Sequence, residues 1–562
     1  MIYLLACSEG VSKKEIDKFN SDYTYYGSIE DNNVTINQYV GKDIDVVIPS
    51  FVTSIGEETF YGCSSLTSIE IPNSIISIGD NAFSKCSSLQ YNEYKNGLYL
   101  GNNKNPYLYL ASVIDKNVNG FSINDNTKFI GSNAFEGCRD LMNIVIPKSV
   151  KSIGSNAFYG CSSLQYNEYE NGLYLGSNEN PYLYLAIIED RNINVETINS
   201  NTKIIGEKAF SGYRNLTNIV IPKKLTSIGA NAFSGCSSLT NIAIPKNVTS
   251  IGSNAFFGCD SLTSIVMPES VPSISSNLFS GCSSLTNIVI PKNVTSIGSN
   301  AFFGCDSLTN IIIPKSVVNI GANAFSGCSS LTNIVIPISV TSVGEDAFSG
   351  CSSLQYNEYE NVLYLGSDEN PYLYLASIKD KNINAVTINS NTKIIGEKAF
   401  YGCSRLTYIE IPDGVSSIGY AAFNGCSRLI SVLIPKSVIS IGYSAFYNCS
   451  SLTSIEIPDG VISIGEFTFY GCSSLTSVEI PNNVISIGGY AFYGCSSLTN
   501  IVISTNIINI GYYALYGSDS LTIYFKAEFK PFGAHNWNPS YRPVYLAGEW
   551  EYDANGNPIP LK

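Results

Sequence analysis

The chain has 562 residues, of which 44% are hydrophobic and 14% are charged, and its formal net charge at pH 7 is −14. This composition is too apolar for a disordered chain, and the negative charge opposes general affinity for nucleic acids and anionic membranes. The single histidine, His535, excludes multi-histidine metal sites, and any Ser/His or Cys/His catalytic pair would need that residue. We therefore predict no catalytic residues, no metal site, no cofactor and no nucleic-acid partner.

The first residues, Met1 to Cys7, end in Leu-Leu-Ala-Cys, which is similar to the end of a bacterial lipoprotein signal. The apolar run is much shorter than the core of a signal peptide, and no basic residue precedes it. Two interpretations stay open, a lipid anchor at Cys7 after a longer signal or an accidental match. No other segment reaches the length of about 20 apolar residues that spans a membrane. We predict an N-terminal segment and cap over residues 1–45.

A repeat of 23 residues begins after this segment, as the regular spacing of cysteines from Cys236 to Cys351 indicates. The larger cysteine spacings of 52 and 75 residues fit the same period if a 29-residue insertion interrupts it three times. Counting the aromatic position of the repeat from Phe60 to the final Leu515 gives 17 coils. Repeats of this length with regular leucine and isoleucine are typical of leucine-rich-repeat solenoids. We predict a β-rich solenoid, a superhelix of about 17 coils, over residues 46–518, and a C-terminal cap over 519–562.

The coil of residues 66–86 shows how one repeat folds. Ile69 and Ile71 point inward from a short first strand, which Pro72 ends because it lacks the N–H that a sheet needs. Ile78 belongs to a second extended piece, and Gly79 permits a corner that a Cβ atom would obstruct. A single coil cannot enclose its own apolar side chains, so the coils must stack around one shared core.

The cysteine of each coil has three possible roles: a buried free thiol, half of a disulfide, or a metal ligand. Side chains on adjacent coils run parallel rather than converging, which disfavours disulfides. No Cys-x-x-Cys pair occurs in the sequence, which disfavours a zinc site. The pattern favours buried free thiols that pack in the turn.

The three insertions, near residues 90–118, 165–193 and 355–383, each contain two alternating runs around a turn rich in Gly, Asn and Pro. This pattern is typical of a β-hairpin. In the later two copies the tyrosines on one face of the second run form the pairs Tyr182/Tyr184 and Tyr372/Tyr374. Either these tyrosines merely cover leucines docked on the solenoid, or they form a rigid aromatic platform for a partner.

An uncharged stripe lies at the outward position of the first strand in six consecutive coils, which carry Val220, Ala243, Val266, Val289, Ile312 and Val335. The same position holds Glu410, Glu456 and Glu479 in later coils. Strand propensity favours branched residues anywhere in a sheet, but it does not explain why glutamate occurs only outside the stripe. We predict a binding site formed by the stripe and the flanking tyrosine pairs.

The coil consensus LTxIxIPxxVTSIGxxAFxGCSS is nearly intact at 239–261, 285–307 and 308–330. It resembles the BspA-like, or Treponema pallidum-type, leucine-rich repeat family over about residues 45–520. The resemblance implies a non-enzymatic protein at the cell surface or outside the cell, which adheres to a protein ligand such as a host extracellular-matrix component. Self-association into a structural surface protein, or glycan binding, are the alternatives, and the oligomeric state stays open.

Overall fold

The computed structural model describes residues 12–29, 32–528, 530 and 542–561, so that Cys7 and His535 lie outside the described residues. The chain divides into two compact units. The first comprises Met1–Asn333 with Asp346–Leu354, and the second comprises Ile334–Glu345 with Gln355–Lys562. Within each unit, successive coils stack through short parallel strands, which confirms the predicted β-rich, leucine-rich-repeat solenoid.

The first strand of a coil points one apolar residue inward and its two neighbours outward, as Ile265 does between Ser264 and Val266. It pairs in register with the first strand of the next coil. In the first unit these strands are Asp45–Val47, Ser68–Glu70, Gly120–Ser122, Asn143–Val145, Val195–Thr197, Asn218–Val220, Asn241–Ala243, Ser264–Val266, Asn287–Val289 and Asn310–Ile312. Asn333–Val335 spans the boundary, and the second unit has Tyr408–Glu410, Ser431–Leu433, Ser477–Glu479, Asn500–Ile503 and Thr522–Phe525.

The second strand of a coil follows the proline turn and ends at the corner. In the first unit these strands are Val52–Ile55, Ser77–Ile78, Phe129–Ile130, Ser152–Ile153, Ile204–Ile205, Ser227–Ile228, Ser250–Ile251, Ser273–Ile274, Ser296–Ile297 and Asn319–Ile320. In the second they are Ser342–Val343, Ile394–Ile395, Ser417–Ile418, Ser440–Ile441, Ser463–Ile464, Ser486–Ile487 and Asn509–Ile510. The corner requires glycine, since a Cβ atom on Gly252 would lie 2.4 Å from the backbone nitrogen of Ala230.

Each 29-residue insertion is a coil of the solenoid as well as a hairpin. Its strands are Asn92–Tyr94, Gly97–Asn102 and Asn105–Val113 in the first copy, Asn167–Tyr169, Gly172–Leu175 and Tyr184–Ile188 in the second, and Asn357–Tyr359, Val362–Ser367 and Asn370–Ile378 in the third. The last strand of each copy pairs in parallel with the second strand of the following coil. The solenoid has about 22 turns, more than the 17 counted, and the three insertion coils, which lack the aromatic position that was counted, account for part of the difference.

The core is built from columns of identical side chains that stack from coil to coil. In the first unit the rings from Phe210 to Phe348 stack with centroids 5.1–5.8 Å apart. In the second unit the rings from Phe400 to Phe492 stack with centroids 5.0–5.5 Å apart. Every ring within a column packs on the rings of the coils before and after it. No coil therefore forms a core by itself.

The described cysteines are free thiols, and all except the half-buried Cys63 are buried, which confirms the favoured interpretation. Where one regular coil directly follows another, the cysteine thiol donates a hydrogen bond to the phenylalanine carbonyl of the preceding coil, as Cys282 Sγ does to Phe256 O at 3.2 Å. This bond fixes the cysteine at the position where the turn closes. The thiols therefore contribute to the stacking of the coils without any covalent link.

Additional elements cover the end of each unit. The helix Lys13–Asp22 begins with a capping box between Ser12 and Glu15 and packs Phe19 against Phe51, with ring centroids 4.9 Å apart. The hairpin Tyr23–Ser28 and Asn33–Tyr39 then pairs with Val52–Ile55. In the second unit Val544–Tyr545 extends the sheet of Thr522–Phe525, and Trp550–Tyr552 pairs with Pro558–Pro560. None of the helices in the described part of the chain has the length and apolar character needed to cross a bilayer.

Candidate binding surface

The stripe predicted from the sequence lies on the solvent-facing side of the first strands in the first unit. The exposed fraction is 75% for Val266, 72% for Val289 and 71% for Ile312, and Val220 is 51% exposed. Ala243 is exposed between them. Large apolar side chains with such exposure in neighbouring coils are unusual for the surface of a monomeric protein, and they are typical of an interaction site.

The sheet register places these side chains side by side. Ala243 pairs with Val266, and Val266 pairs with Val289, in three parallel strands. Adjacent strands of a sheet are about 4.8 Å apart, so branched side chains in this register contact one another and form a ridge. The sixth residue of the predicted stripe, Val335, differs from the other five. It belongs to the second unit and is half-buried, so the ridge comprises only the five exposed residues of the first unit.

A ladder of threonines supports the backbone beside the ridge. The hydroxyl groups of Thr263 and Thr286 each donate to the threonine carbonyl of the preceding coil, at 3.2 and 3.3 Å. The exposed asparagines at the adjacent outward position bond within their own coil, as Asn241 Nδ2 does to Thr240 Oγ1 at 3.2 Å. The threonine hydroxyl groups thus add hydrogen bonds between coils to those of the paired strand backbones. The ridge therefore lies on a regular strand backbone.

A row of lysines that the sequence analysis missed lies beside the ridge. Three residues beyond the stripe position, the coils of the first unit carry the exposed residues Lys223, Lys246, Glu269, Lys292 and Lys315. Glu269 forms an exposed ion pair with Lys292, with Nζ and Oε2 3.4 Å apart. The sequence feature that could have revealed these lysines is the Ile-Pro-Lys motif, which recurs after the first strand. This face is therefore locally basic, although the whole chain carries a net charge of −14.

The face formed by the second strands in the first unit is engaged in contacts between its own coils. Ser155 N donates to Asp80 Oδ1 at 2.7 Å, and Ser253 Oγ donates to Glu57 Oε2 at 3.2 Å, although 196 residues separate the second pair. The groove between these strands is lined mainly by serine, glycine and isoleucine and encloses about 380 Å³. On the first-strand face, Val266, Val289 and Ile312 are instead strongly exposed to solvent.

The predicted tyrosine platform is wrong for one member of each pair. Tyr184 and Tyr374 are buried, with exposed fractions of 7% and 6%. The leucine that follows each of them, Leu185 or Leu375, is also buried, and Tyr184 packs against Phe158 with ring centroids 5.6 Å apart. Tyr182 and Tyr372 are half-buried and pack edge to face on other tyrosines of their own insertions. Tyr184 and Tyr374 therefore fill the interior of the insertion coils, and Tyr182 and Tyr372 lie at its edge.

Substituting Gly206 by alanine is expected to destabilise the first unit by about 1–3 kcal/mol, the usual range for overpacking. An added Cβ atom would lie 2.5 Å from Tyr184 Oη and 2.6 Å from the carbonyl oxygen of Leu185. Gly120→Ala is the control, because its Cβ atom would come no closer than 3.6 Å to Asn143 O. Urea unfolding followed by circular dichroism measures both variants, and equal midpoints would contradict the packing role of Tyr184.

The sequence profile of the BspA type leucine rich repeat region matches the chain in six copies. The matched residues are 22–104, 114–179, 188–302, 272–369, 374–450 and 416–540. These matches cover most of the chain. No curated protein matches it.

Several solved structures are similar to the chain. A leucine-rich repeat protein from Bacteroides ovatus is 25% identical, with 90% of this chain and 93% of that chain covered and a TM-score of 0.31. A leucine rich cell surface protein from Faecalibacterium prausnitzii is 26% identical, with 92% and 95% covered and a TM-score of 0.26. A leucine-rich repeat protein from Eubacterium ventriosum is 28% identical, with 60% and 94% covered and a TM-score of 0.30. On the profile matches, the chain belongs to the family of BspA-type leucine-rich repeat proteins.

Proposed function

We propose that the protein is a non-enzymatic adhesion protein that binds a macromolecular partner through the ridge of Val220, Ala243, Val266, Val289 and Ile312. The observation that carries the proposal is the exposure of Val266, Val289 and Ile312, each above 70%, in adjacent coils. Burying such a ridge against a partner releases water from apolar surface, at about 25 cal/mol for each Å². Aliphatic side chains supply no acid, base or nucleophile, so the proposal includes no catalytic step.

The charge beside the ridge suggests what the partner presents. Lys223, Lys246 and Lys315 are exposed along one side of the ridge. A partner surface with apolar side chains flanked by carboxylates complements this pattern, and the lysines would accelerate its association at low salt. We propose an acidic protein partner, such as a component of the extracellular matrix. This role requires presentation at the cell surface or outside the cell.

The test is a triple substitution of the ridge, Val266→Glu with Val289→Glu and Ile312→Glu. We expect binding to an immobilised panel of extracellular-matrix proteins, including fibrinogen, to weaken by about tenfold or more, because the carboxylates would be buried without partners. Folding should change little, because the three side chains already face solvent. Surface plasmon resonance and thermal unfolding measure the two effects.

The matched control places the same three charges at the neighbouring outward position of the same strands, as Ser264→Glu with Asn287→Glu and Asn310→Glu. This variant should lose less binding than the ridge variant, since its charges lie beside the ridge, where they repel the acidic partner without being buried under it. Equal loss in both variants would mean that net charge, and not the ridge, controls binding. If light scattering shows assembly of the wild type that the ridge variant abolishes, the ridge serves self-association instead.

A further inference from the structure

A second aromatic surface lies in the second unit, apart from the insertions. In four successive coils a tyrosine follows the buried residue of the core column, which is phenylalanine in three coils and Leu515 in the fourth, and these tyrosines form the first column. Other rings, three or four positions earlier in the chain, form the second column. Together they form the tyrosine array: Tyr447, Phe467, Tyr470, Tyr490, Tyr493, Tyr512, Tyr513 and Tyr516. In the first column Tyr447 and Tyr470 stack at 4.7 Å, and Tyr470 and Tyr493 stack at 4.9 Å, with planes within 4° of parallel.

The second column makes the array continuous. Phe467 and Tyr490 stack with centroids 5.1 Å apart, and each contacts the first-column ring of its own coil. Tyr513 and Tyr516 close the array with an edge-to-face contact at 5.2 Å. Tyr512 and Tyr516 are 46% and 39% exposed, and the other members are half-buried. The result is one solvent-facing aromatic surface across four coils.

The backbone beneath the second column carries a conformational cost that folding alone does not require. Phe467, Tyr490 and Tyr513 have φ angles of 57°, 57° and 52°, in the left-handed region that bulky residues avoid. Other coils place asparagine at this position, as Asn254 and Asn277 do with φ angles of 59° and 55°. Asparagine tolerates this conformation and would complete the turn equally well. Strained residues of this kind concentrate at functional sites.

The chemistry of the array is neutral and rich in hydroxyl groups. Because the first-column rings stack face to face, their faces cover one another, and the part of each ring left to solvent is mainly its edge. The four turn segments, residues 443–450, 466–473, 489–496 and 512–518, contain Glu466 as their one charged residue. The absence of lysine and arginine there disfavours a polyanionic ligand. Tyrosine contributes apolar contact and a hydrogen-bonding group from the same side chain.

We propose that the tyrosine array binds a proline-rich segment of another protein in the polyproline II conformation. Such a helix advances about 3.1 Å per residue with three residues per turn, so one turn is about 9.3 Å long. Two successive ring spacings of the first column, 4.7 and 4.9 Å, together span nearly the length of one such turn. Successive turns of the ligand therefore meet equivalent positions of the array.

The hydrogen bonding of a polyproline II helix also suits the array. Its carbonyl groups have no internal partners, so they can accept hydrogen bonds from tyrosine phenol groups of the array. Proline rings pack on aromatic edges, and the ligand is already extended before binding, which lowers the entropic cost of association. The array lies wholly within the second unit, so this proposal does not depend on the ridge of the first unit.

The experiment measures binding of a fluorescent N-acetylated oligoproline peptide to the full chain by anisotropy. A glycine-serine peptide of equal length and a neutral cello-oligosaccharide are the comparison ligands. We expect saturable binding of oligoproline alone, and a loss of about tenfold or more for Tyr470→Ala with Tyr493→Ala. Tyr159→Ala is the matched control, because this tyrosine holds the same repeat position in the first unit, is 67% exposed and belongs to no ring column among the described residues.

Tyr490→Asn separates binding from folding. Asparagine suits the left-handed backbone at this position, so this variant should be at least as stable as the wild type while its binding weakens. The proposal is overturned if oligoproline does not bind, if it binds Tyr490→Asn and the double variant as tightly as the wild type, or if the oligosaccharide binds and oligoproline does not. The last outcome would assign the array to a glycan.

Discussion

Raising the pH from 9 to 11 is expected to unfold the protein over a narrow interval, because the cysteine columns cannot ionise in the folded state. Burial raises the pKa of Cys236 and of Cys282 from 9.0 to about 12. Burial also raises the pKa of Cys259 and of Cys305 well above the usual value, and the adjacent thiols add to the effect. A thiolate would lose the hydrogen bond that the thiol donates to a phenylalanine carbonyl.

The direction of the effect follows from the linkage between proton binding and folding. The folded pKa values are raised, so the thiols stabilise the fold fully below the unfolded pKa of about 9. As the pH rises further the unfolded chain releases protons that the folded chain retains, and each such thiol lowers the free energy of unfolding by about 1.4 kcal/mol per pH unit. Four thiols remove about 5 kcal/mol per unit, comparable with the whole stability of many domains, about 5–15 kcal/mol.

Circular dichroism and the ultraviolet absorbance of thiolate, recorded together against pH, check this prediction. Both signals should change in one transition above pH 9. The variant with Cys259→Ala, Cys282→Ala and Cys305→Ala should show a shallower dependence on pH, since three of the ionising groups are absent. If the thiols titrate near their ordinary pKa while the circular dichroism stays unchanged, the buried thiol columns are contradicted.

Substituting Phe302 by alanine is expected to lower the stability of the first unit by about 3–5 kcal/mol, the usual cost of removing a buried aromatic ring. The side chain is fully buried and stacks on Phe279 at 5.5 Å and on Phe325 at 5.3 Å. In a solenoid each coil is stabilised mainly by its two neighbours. The cavity therefore weakens two interfaces, and unfolding should become less cooperative.

The adjacent residue supplies the control for this prediction. Phe303 has the same side chain but is 44% exposed, so Phe303→Ala should cost much less. Guanidinium unfolding, followed by circular dichroism, should show an early additional transition for the Phe302 variant only. Equal unfolding profiles for the two variants would contradict the role of the phenylalanine column.

Comparison of the two surfaces shows where sequence patterns are informative about binding. The ridge could be predicted because strand alternation alone decides that Val266 faces outward when Ile265 faces inward. The tyrosine array was missed although Tyr470 and Tyr493 recur at the repeat interval. Both follow a buried phenylalanine in a turn, where side-chain direction depends on local φ and ψ angles and not on a simple alternation.

In the insertions, by contrast, the sequence pattern predicted exposed side chains that are buried in the structure. Alternation placed Tyr182 and Tyr184 on one outward face, but the strand of Tyr184 has neighbours on both sides. A register shift between Leu173 and Tyr174 in the partner strand alters the alternation, and Gly206 in the next coil leaves room for the Tyr184 ring. Whether a face of a strand is covered depends on the adjacent coil, which alternation within one strand does not describe.

The sequence alone determined the repeat length, the inward residues, the free thiols and the solenoid class, because these depend on periodicity along the chain. Tertiary structure decided which face is open and which aromatic residues reach solvent. The contact between Ser253 and Glu57 joins coils 196 residues apart, and no local pattern specifies it. Such contacts arise when small rotations between coils accumulate over many repeats, which is a property of the stack and not of a single coil.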